Sequence, residues 1–492
     1  MKNNEDQDAE EDRPIILSQE GIKNPSNVYN KKRIITLKCL NLIKAILFIS
    51  SIIFLIYLKI FLITYKLGKK IEKIDKKIDN LNDISEKKKI SVAFVQQALY
   101  GNGIGRIITI LTELLAKTGL YDVYLINEKK TPNDFKVYED VKRVFQNKNK
   151  FEIKRFDKEN NIQIYVLNNE LSQSIEIYKN LGKKVIGIFH GVFLSCIFTN
   201  HTSLYSSWNR FGLYDSFVQI IADDYWIYKK FNFKNVIYIP NLYTFEHTLT
   251  PISNLTGNNV LIVGRIDDVI KGAKFGVKAM KEVIQEIPDS QLIIVSDYHD
   301  PKIKKLVKEL NIQKNVKFMP FSHNISEYYL KASVLIVASI SESFPMVMNE
   351  GKAHGLPIVA HNIDYSPSFQ KGVITVDMFD YKAMGKEIIK LLKDYNYRKQ
   401  KGMEAKLSLD MYKNNETIEK WGRLFKSLLR GENEYHKFQQ KIENTYYNEK
   451  IAMERIKRHY HYAQQFNKHF KCHSFDNFTD LNYLNNIKVC QI

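Results

Sequence analysis

From Ile90 onward the chain keeps one texture: short β-branched runs alternate with amphipathic stretches of helical period. That alternation implies parallel strands with helices packed on both faces of the sheet. One series of runs comprises Ile90–Phe94, Val123–Ile126, Ile162–Leu167, Val185–Phe189, Val218–Ala222 and Val236–Ile239. A second comprises Val260–Val263, Leu292–Val295, Val316–Met319, Val334–Ala338, Ile358–Ala360 and Val373–Val376. Between them, residues 241–258 contain Pro, Asn, Thr and Ser and read as a linker. The expected fold is therefore α/β, with two tandem Rossmann-like, doubly wound domains at 90–240 and 259–430. Their strand ends face a shared cleft, where such folds bind ligands.

The 492 residues exceed what one hydrophobic core usually serves, and the remainder has its own organisation. Residues 1–44 begin with an acidic cluster (Glu5, Asp6, Asp8, Glu10, Glu11, Asp12) and read as a disordered, cytosolic-type tail. Residues 45–65, AILFISSIIFLIYLKIFLITY, carry one charge, Lys59, near one end. At about 1.5 Å per residue they match the ~30 Å hydrocarbon layer, with Lys59 snorkelling to the headgroups. We expect a single-pass transmembrane signal-anchor and a membrane protein, endomembrane (ER or Golgi) in a eukaryote. Lysines flank the span on both sides, so the positive-inside rule does not orient it. Residues 66–89 read as a stalk, and Ile71, Ile74, Ile78 and Leu81 supply the seam of a short coiled coil, a homodimer contact over 71–84. Residues 431–492 form a helical or irregular extension. Its His459, His461, His469, Cys472 and His473 are interleaved with Lys, Arg, Tyr and Phe, so packing on the core, membrane contact or partner binding is expected there rather than a metal site.

The net charge of +19 comes from 73 Lys and Arg against 54 Asp and Glu, without an Arg-rich run or nucleic-acid signature. No nucleic-acid partner is expected, and the excess reads as solvated surface with some attraction to anionic membranes. Four scattered cysteines make neither a disulfide scaffold nor a CxxC zinc site.

The most specific stretch is Ser339 to Ala360, SISESFPMVMNEGKAHGLPIVA. A buried strand leads into a polar turn where Ser343 is suited to cap a helix and Pro345 to begin it. Glu342 then sits at the strand end facing the cleft, with Glu350 about one and a half turns into the helix. Amides at that helix start suit sugar hydroxyls or phosphate oxygens. Arg265 follows the first strand of the second half, and Lys271-Gly272 comes shortly after. A planar guanidinium and a mobile ammonium together suit a diphosphate whose leaving oxygen gains charge. In the first half, Tyr100-Gly101-Asn102-Gly103-Ile104-Gly105-Arg106 follows the first strand, and His190-Gly191 ends the fourth run.

This frame, Glu-x7-Glu followed by Gly355-Leu356-Pro357, resembles glycosyltransferase family 4, the retaining group 1 enzymes of GT-B fold. The resemblance covers roughly Ile90 to Arg430 and is strongest from Val260 onward. It implies that Glu342 holds hydroxyls of the donor sugar and Glu350 the nucleotide ribose, while the backbone of Ser343, Phe344, Pro345 and Met346 contacts the sugar. It assigns the diphosphate to Arg265 and Lys271, a phosphate-covering loop to Gly103 and Gly105, and a place beside the reacting sugar to His190. The catalytic set it implies is Arg265, Lys271, Glu342 and His190. By the same resemblance a hexose passes from a nucleotide-diphosphate sugar to a glycan or lipid-linked acceptor, by same-face displacement in which the departing phosphate takes the acceptor proton. Neither a metal nor a further cofactor is expected. The other reading is a non-catalytic sugar-nucleotide-binding membrane protein. An epimerase or phosphorylase on this architecture is disfavoured by the anchor and the Glu342 frame. Phe318-Met319-Pro320-Phe321 stands where many relatives carry a glycine near the base-binding strand end, which leaves the nucleobase open.

Overall fold

A computed structural model of the chain describes residues 89–446 except 101–102, 147–148, 169–171, 193–209, 231–232, 247, 267–269, 364–369 and 411–412. It also describes isolated helical positions at 44, 47, 48, 50, 51, 55, 59, 62, 454, 455, 457, 458 and 461. The chain divides into two units at Lys88 and Lys89, and the fold below is that of the second. The expected tail, stalk and most of the 45–65 span lie outside the described residues. Among those described, no helix is long and apolar enough to cross a membrane.

Two parallel sheets make up the second unit. The first contains β1 (Ile90–Val95), β2 (Tyr121–Asn127), β3 (Lys142–Phe145), β4 (Ile164–Asn168), β5 (Lys184–Phe189), β6 (Ser216–Gln219) and β7 (Val236–Tyr238), in the order β3-β2-β1-β4-β5-β6-β7. The second contains β8 (Asn259–Val263), β9 (Gln291–Val295), β10 (Val316–Met319), β11 (Val334–Val337), β12 (Ile358–His361) and β13 (Val373–Val376), in the order β10-β9-β8-β11-β12-β13. In each, the chain starts centrally, winds to one edge and then crosses to the other. The order therefore reverses between β1 and β4 and between β8 and β11, and the crevice at such a switch point is where a ligand fits. The central strands read as unbroken apolar runs because both faces are covered: every residue of β4 and of β11 is buried.

All twelve expected runs contain a strand, and two local details differ. The run Val218–Ala222 stops being strand at Gln219, and Ala222 instead begins the helix Ala222–Lys230. The edge strand β3, KRVF, was not expected. It is flanked by solvent, shows neither alternation nor a continuous apolar run, and pairs through its backbone with Tyr124–Asn127.

The connections depart further from expectation. Residues 241–258 are packed rather than loose: Leu242, Tyr243 and Leu255 are buried, and the Ser253 hydroxyl donates to the carbonyls of Leu330 and Ala332. The helix Asn414–Arg430, expected within the second half, instead covers the first sheet. Trp421 meets Phe94 edge-on at 6.5 Å and Phe425 meets Tyr121 at 5.6 Å. Its apolar stripe at Ile418, Trp421, Leu424, Phe425 and Leu428 demands a partner, but helical spacing does not say which sheet provides it. The two crossings between the halves are tied together. The Tyr243 amide donates to Asn414 Oδ1 at 2.8 Å, and Asn414 Nδ2 returns a bond to the Tyr243 carbonyl at 3.0 Å.

Candidate active site

A cavity of about 390 Å³ opens between the two halves, in the size range of a small-molecule site. From the second half it is lined by Arg265, Lys271, Glu342, Ser343, Phe344, Met346 and Glu350, and from the first by Gly103, Arg106 and His190. Residues more than 200 positions apart in sequence thus meet around one space.

The Lys271 ammonium is placed by its own turn. Gly272 has φ +59, and a Cβ there would lie 2.1 Å from the Ala338 carbonyl oxygen, so only glycine lets the turn sit this close to the end of β11. The Ile340 amide donates to the Ile270 carbonyl at 2.9 Å and ties the same two segments. Lys271 Nζ consequently donates to Glu342 Oε1 at 2.6 Å, and Ser339 Oγ donates to that oxygen at 2.8 Å. Oε2 takes part in neither bond. Arg265 follows β8 on the same rim and is exposed.

Beyond Glu342 the helix Met346–Ala353 begins with its first turn toward the cavity. Ser343 does not cap it, contrary to expectation. Pro345 occupies the cap position, and its carbonyl accepts from the amides of Met348 and Asn349. Ser343 lies two residues too early to reach the first turn and lines the cavity instead. Pro345 is buried and shapes the backbone without lining the space.

Glu350 is 4% exposed, and its carboxylate is held from three directions. Tyr329 Oη donates to Oε2 at 2.7 Å, Thr244 Oγ1 donates to Oε1 at 3.0 Å, and Arg106 Nε lies 3.5 Å from Oε1. Burial first, and then the Glu350 charge, push the Tyr329 hydroxyl well above its ordinary range, so it stays a donor. His354 backs the same turn, with Nδ1 2.7 Å from the Glu350 carbonyl and Nε2 2.6 Å from Ser326 Oγ.

The two glycines of the first-half loop separate in role. Gly103 faces the cleft, where an added Cβ would approach Met346 of the second half to 3.3 Å. Gly105 does not face it. A Cβ there would meet the Leu99 backbone at 2.9 Å, so the missing side chain serves the packing of its helix on the preceding loop. His190 is buried beside the cavity, and burial lowers its imidazole to about 4. It is neutral at physiological pH. Asn168 Nδ2 donates to the Val95 carbonyl at 3.3 Å, which turns Oδ1 toward His190 Nε2 at 3.0 Å and makes Nε2 the protonated nitrogen.

Several side chains that hold Glu350 were not singled out from sequence. Arg106 closes the glycine segment but has no distinctive spacing to Glu350; Tyr329 sits in a short helix, and Thr244 in the supposed linker. Among the described residues no group of three or more His, Cys, Asp or Glu is placed to hold a metal, and of His459, His461, His469 and His473 only His461 is described.

Residues 257–394 match the family of group 1 glycosyl transferases. The chain is 34% identical over 138 residues to an uncharacterized glycosyltransferase of Haemophilus influenzae, covering 27% of this chain and 38% of that protein. The chain is also 26% identical over 190 residues to the poly(glycerol-phosphate) alpha-glucosyltransferase of Bacillus subtilis, covering 37% of this chain and 28% of that protein. The chain thus spans less than half the length of these curated relatives. In fold, it is similar to sucrose-phosphate synthase of Thermosynechococcus elongatus, with a TM-score of 0.59 and 18% identity over 70% of this chain and all of that one. It is also similar to Anabaena HepE in complex with UDP-glucose, with a TM-score of 0.56 and 11% identity over 69% and 100%. Such identities speak for the GT-B fold alone. The group 1 match contains Arg265, Lys271, Glu342 and Glu350, whereas Gly103, Arg106 and His190 lie outside it.

Proposed function

We propose that the protein is a membrane-anchored, retaining glycosyltransferase that moves a hexose from a nucleoside-diphosphate sugar to a glycan or lipid-linked acceptor. The observation that carries the reading is the Lys271–Glu342 pair, set beside Arg265 and the Met346–Ala353 helix start on one cavity wall. Lys271 and Arg265 hold the diphosphate, and Glu342 accepts from hexose hydroxyls. Glu350 accepts from the ribose. The acceptor hydroxyl attacks the anomeric carbon on the face from which the nucleoside diphosphate departs; one carbon–oxygen bond forms, the glycosidic phosphate bond breaks, and the leaving phosphate oxygen takes the hydroxyl proton. Negative charge grows on that phosphate, so fixed cations act where charge develops. His190, neutral and anchored through Nε2, lies at the first-half side, where the sugar and acceptor would meet.

A hexose donor is consistent with the UDP-glucose bound by HepE and with the named activity of the Bacillus subtilis relative. The test is release of nucleoside diphosphate by the full-length chain from a panel of UDP-, GDP- and ADP-sugars, with and without lipid and glycan acceptors. Release above background that survives EDTA is expected, since Arg265 and Lys271 supply the positive field. Background-level release across the panel would end this reading.

For the anchor, Leu47, Phe48, Leu55 and Leu62 are helical positions with 60%, 68%, 59% and 47% of their surface exposed, which suits a lipid-facing span. The full-length protein should stay in the membrane pellet after alkaline carbonate, and its release into the supernatant would refute the span.

A further inference from the structure

Of the cations lining the cavity, Arg265 and Lys271 belong to the second half and Arg106 to the first. Arg106 lies in the first turn of the helix Gly103–Lys117, and its side chain crosses the cleft. Its guanidinium carbon is 5.6 Å from the ring centre of Phe135 in the first half and 5.6 Å from that of Phe245 in the connecting segment. Its Nε faces Glu350 Oε1 at 3.5 Å. Phe135 in turn meets Phe321 of the second half edge-on at 5.8 Å. Arginine between two aromatic faces is held in one orientation while its charge remains usable.

The Glu350 carboxylate offers about four acceptor positions, and Tyr329 and Thr244 take two. Both hydroxyls are neutral. Arg106 brings the countercharge to this buried anion, and it does so from the opposite half. A charge pair that forms only when the halves approach makes the second half's nucleotide site dependent on cleft closure.

We propose that Arg106 is a positioning residue for the nucleotide site: clamped between Phe135 and Phe245 and paired with Glu350, it closes the cleft and aims the Glu350 carboxylate at the donor ribose. The inference rests on the reading of Glu350 as the ribose acceptor. It is tested on the full-length chain by nucleoside diphosphate binding, with UDP, GDP, ADP, CDP and dTDP, and by donor kinetics. Arg106→Met keeps the stem between the rings and removes the charge. It should weaken binding about tenfold and raise donor KM by a similar factor, with kcat within about threefold of wild type. Arg106→Lys, which retains charge without the planar fork, should recover part of the loss. In a Glu350→Gln background, Arg106→Met should change affinity less than about twofold, because the two act as one unit.

Wild-type affinity in Arg106→Met, an equal loss in the Glu350→Gln background, or a loss confined to kcat would overturn the proposal and leave the proposed transferase activity standing. If Arg106→Met does not fold, Arg106→Lys decides: weakened binding supports the clasp and unchanged binding overturns it. Failure of the wild-type chain to bind any of the five nucleotides overturns both this inference and the reading beneath it.

Discussion

Replacing Lys271 with methionine is expected to lower kcat for sugar transfer by about 10²- to 10³-fold, a loss of roughly 3–4 kcal/mol of transition-state stabilisation. Ground-state donor affinity should fall by less, because Arg265 and the start of the Met346–Ala353 helix remain to hold the diphosphate. The difference arises from timing. A cation aimed at the leaving phosphate contributes most when the glycosidic bond is breaking and charge has moved onto oxygen. Lys271 is suited to this because it is not a loose surface lysine. The Gly272 turn packs against Ala338, and the ammonium is drawn to Glu342 Oε1 at 2.6 Å. Its removal also releases Glu342, so on the proposed reading the donor sugar should lose orientation together with electrostatic support. Lys271→Arg should recover only part of the rate, since a planar fork cannot sit where a compact ammonium bridges carboxylate and phosphate. The measurement is steady-state kcat and KM with the best donor from the panel. A kcat within threefold of wild type would remove Lys271 from the chemistry and leave the ion pair as a structural tie.

That same pair shows how far local sequence reaches. Glu342 and Lys271 were recognisable because each sits just after a strand, and strand ends in a doubly wound sheet converge at the switch point. Arg265 follows from the same rule, whereas Met346 and the role of Glu350 were implied only by the resemblance that the Glu-x7-Glu frame carries. What spacing does not encode is which surface a segment will meet across the cleft. Arg106 belongs to an ordinary helix start, and Thr244 to a stretch whose composition suggests a tether, yet both reach Glu350. Gly105 illustrates the converse. A glycine after a first strand suggests phosphate, and what the structure adds is a packing reason for it, because the Leu99 backbone occupies the space its missing Cβ leaves. The edge strand β3 escaped notice because edge position relaxes the demand for apolar residues that makes central strands legible.

The C-terminal extension offers the other large effect. Arg455→Met is expected to lower the thermal midpoint of the full-length chain by roughly 3–5 °C, from about 3–5 kcal/mol of lost stability. Arg455 is 1% exposed and lies against two acids in the first turn of the helix Ala222–Lys230. Its Nε donates to Asp224 Oδ1 at 2.6 Å and Nη1 to Asp223 Oδ2 at 3.3 Å, while Arg458 Nη2 stands 3.9 Å from Asp223. Asp224 is fully buried, so removing the guanidinium takes away a short charge-assisted bond where water cannot replace it. The helix start itself favours negative charge, which offsets part of the cost but not the desolvation of two adjacent carboxylates. Combining Arg455→Met with Asp223→Asn and Asp224→Asn should restore much of the midpoint, because breaking one side of a buried ion cluster costs more than replacing all of it. Upstream of that helix, Ile220 and His190 line one small internal space, so the mutant should also lose transfer rate through the first-half wall of the site. A midpoint within 1 °C of wild type would show that the extension does not brace the first half. A large drop that the triple variant reverses would make residues near 455 part of the first domain's fold, despite lying more than 200 positions from the helix they hold.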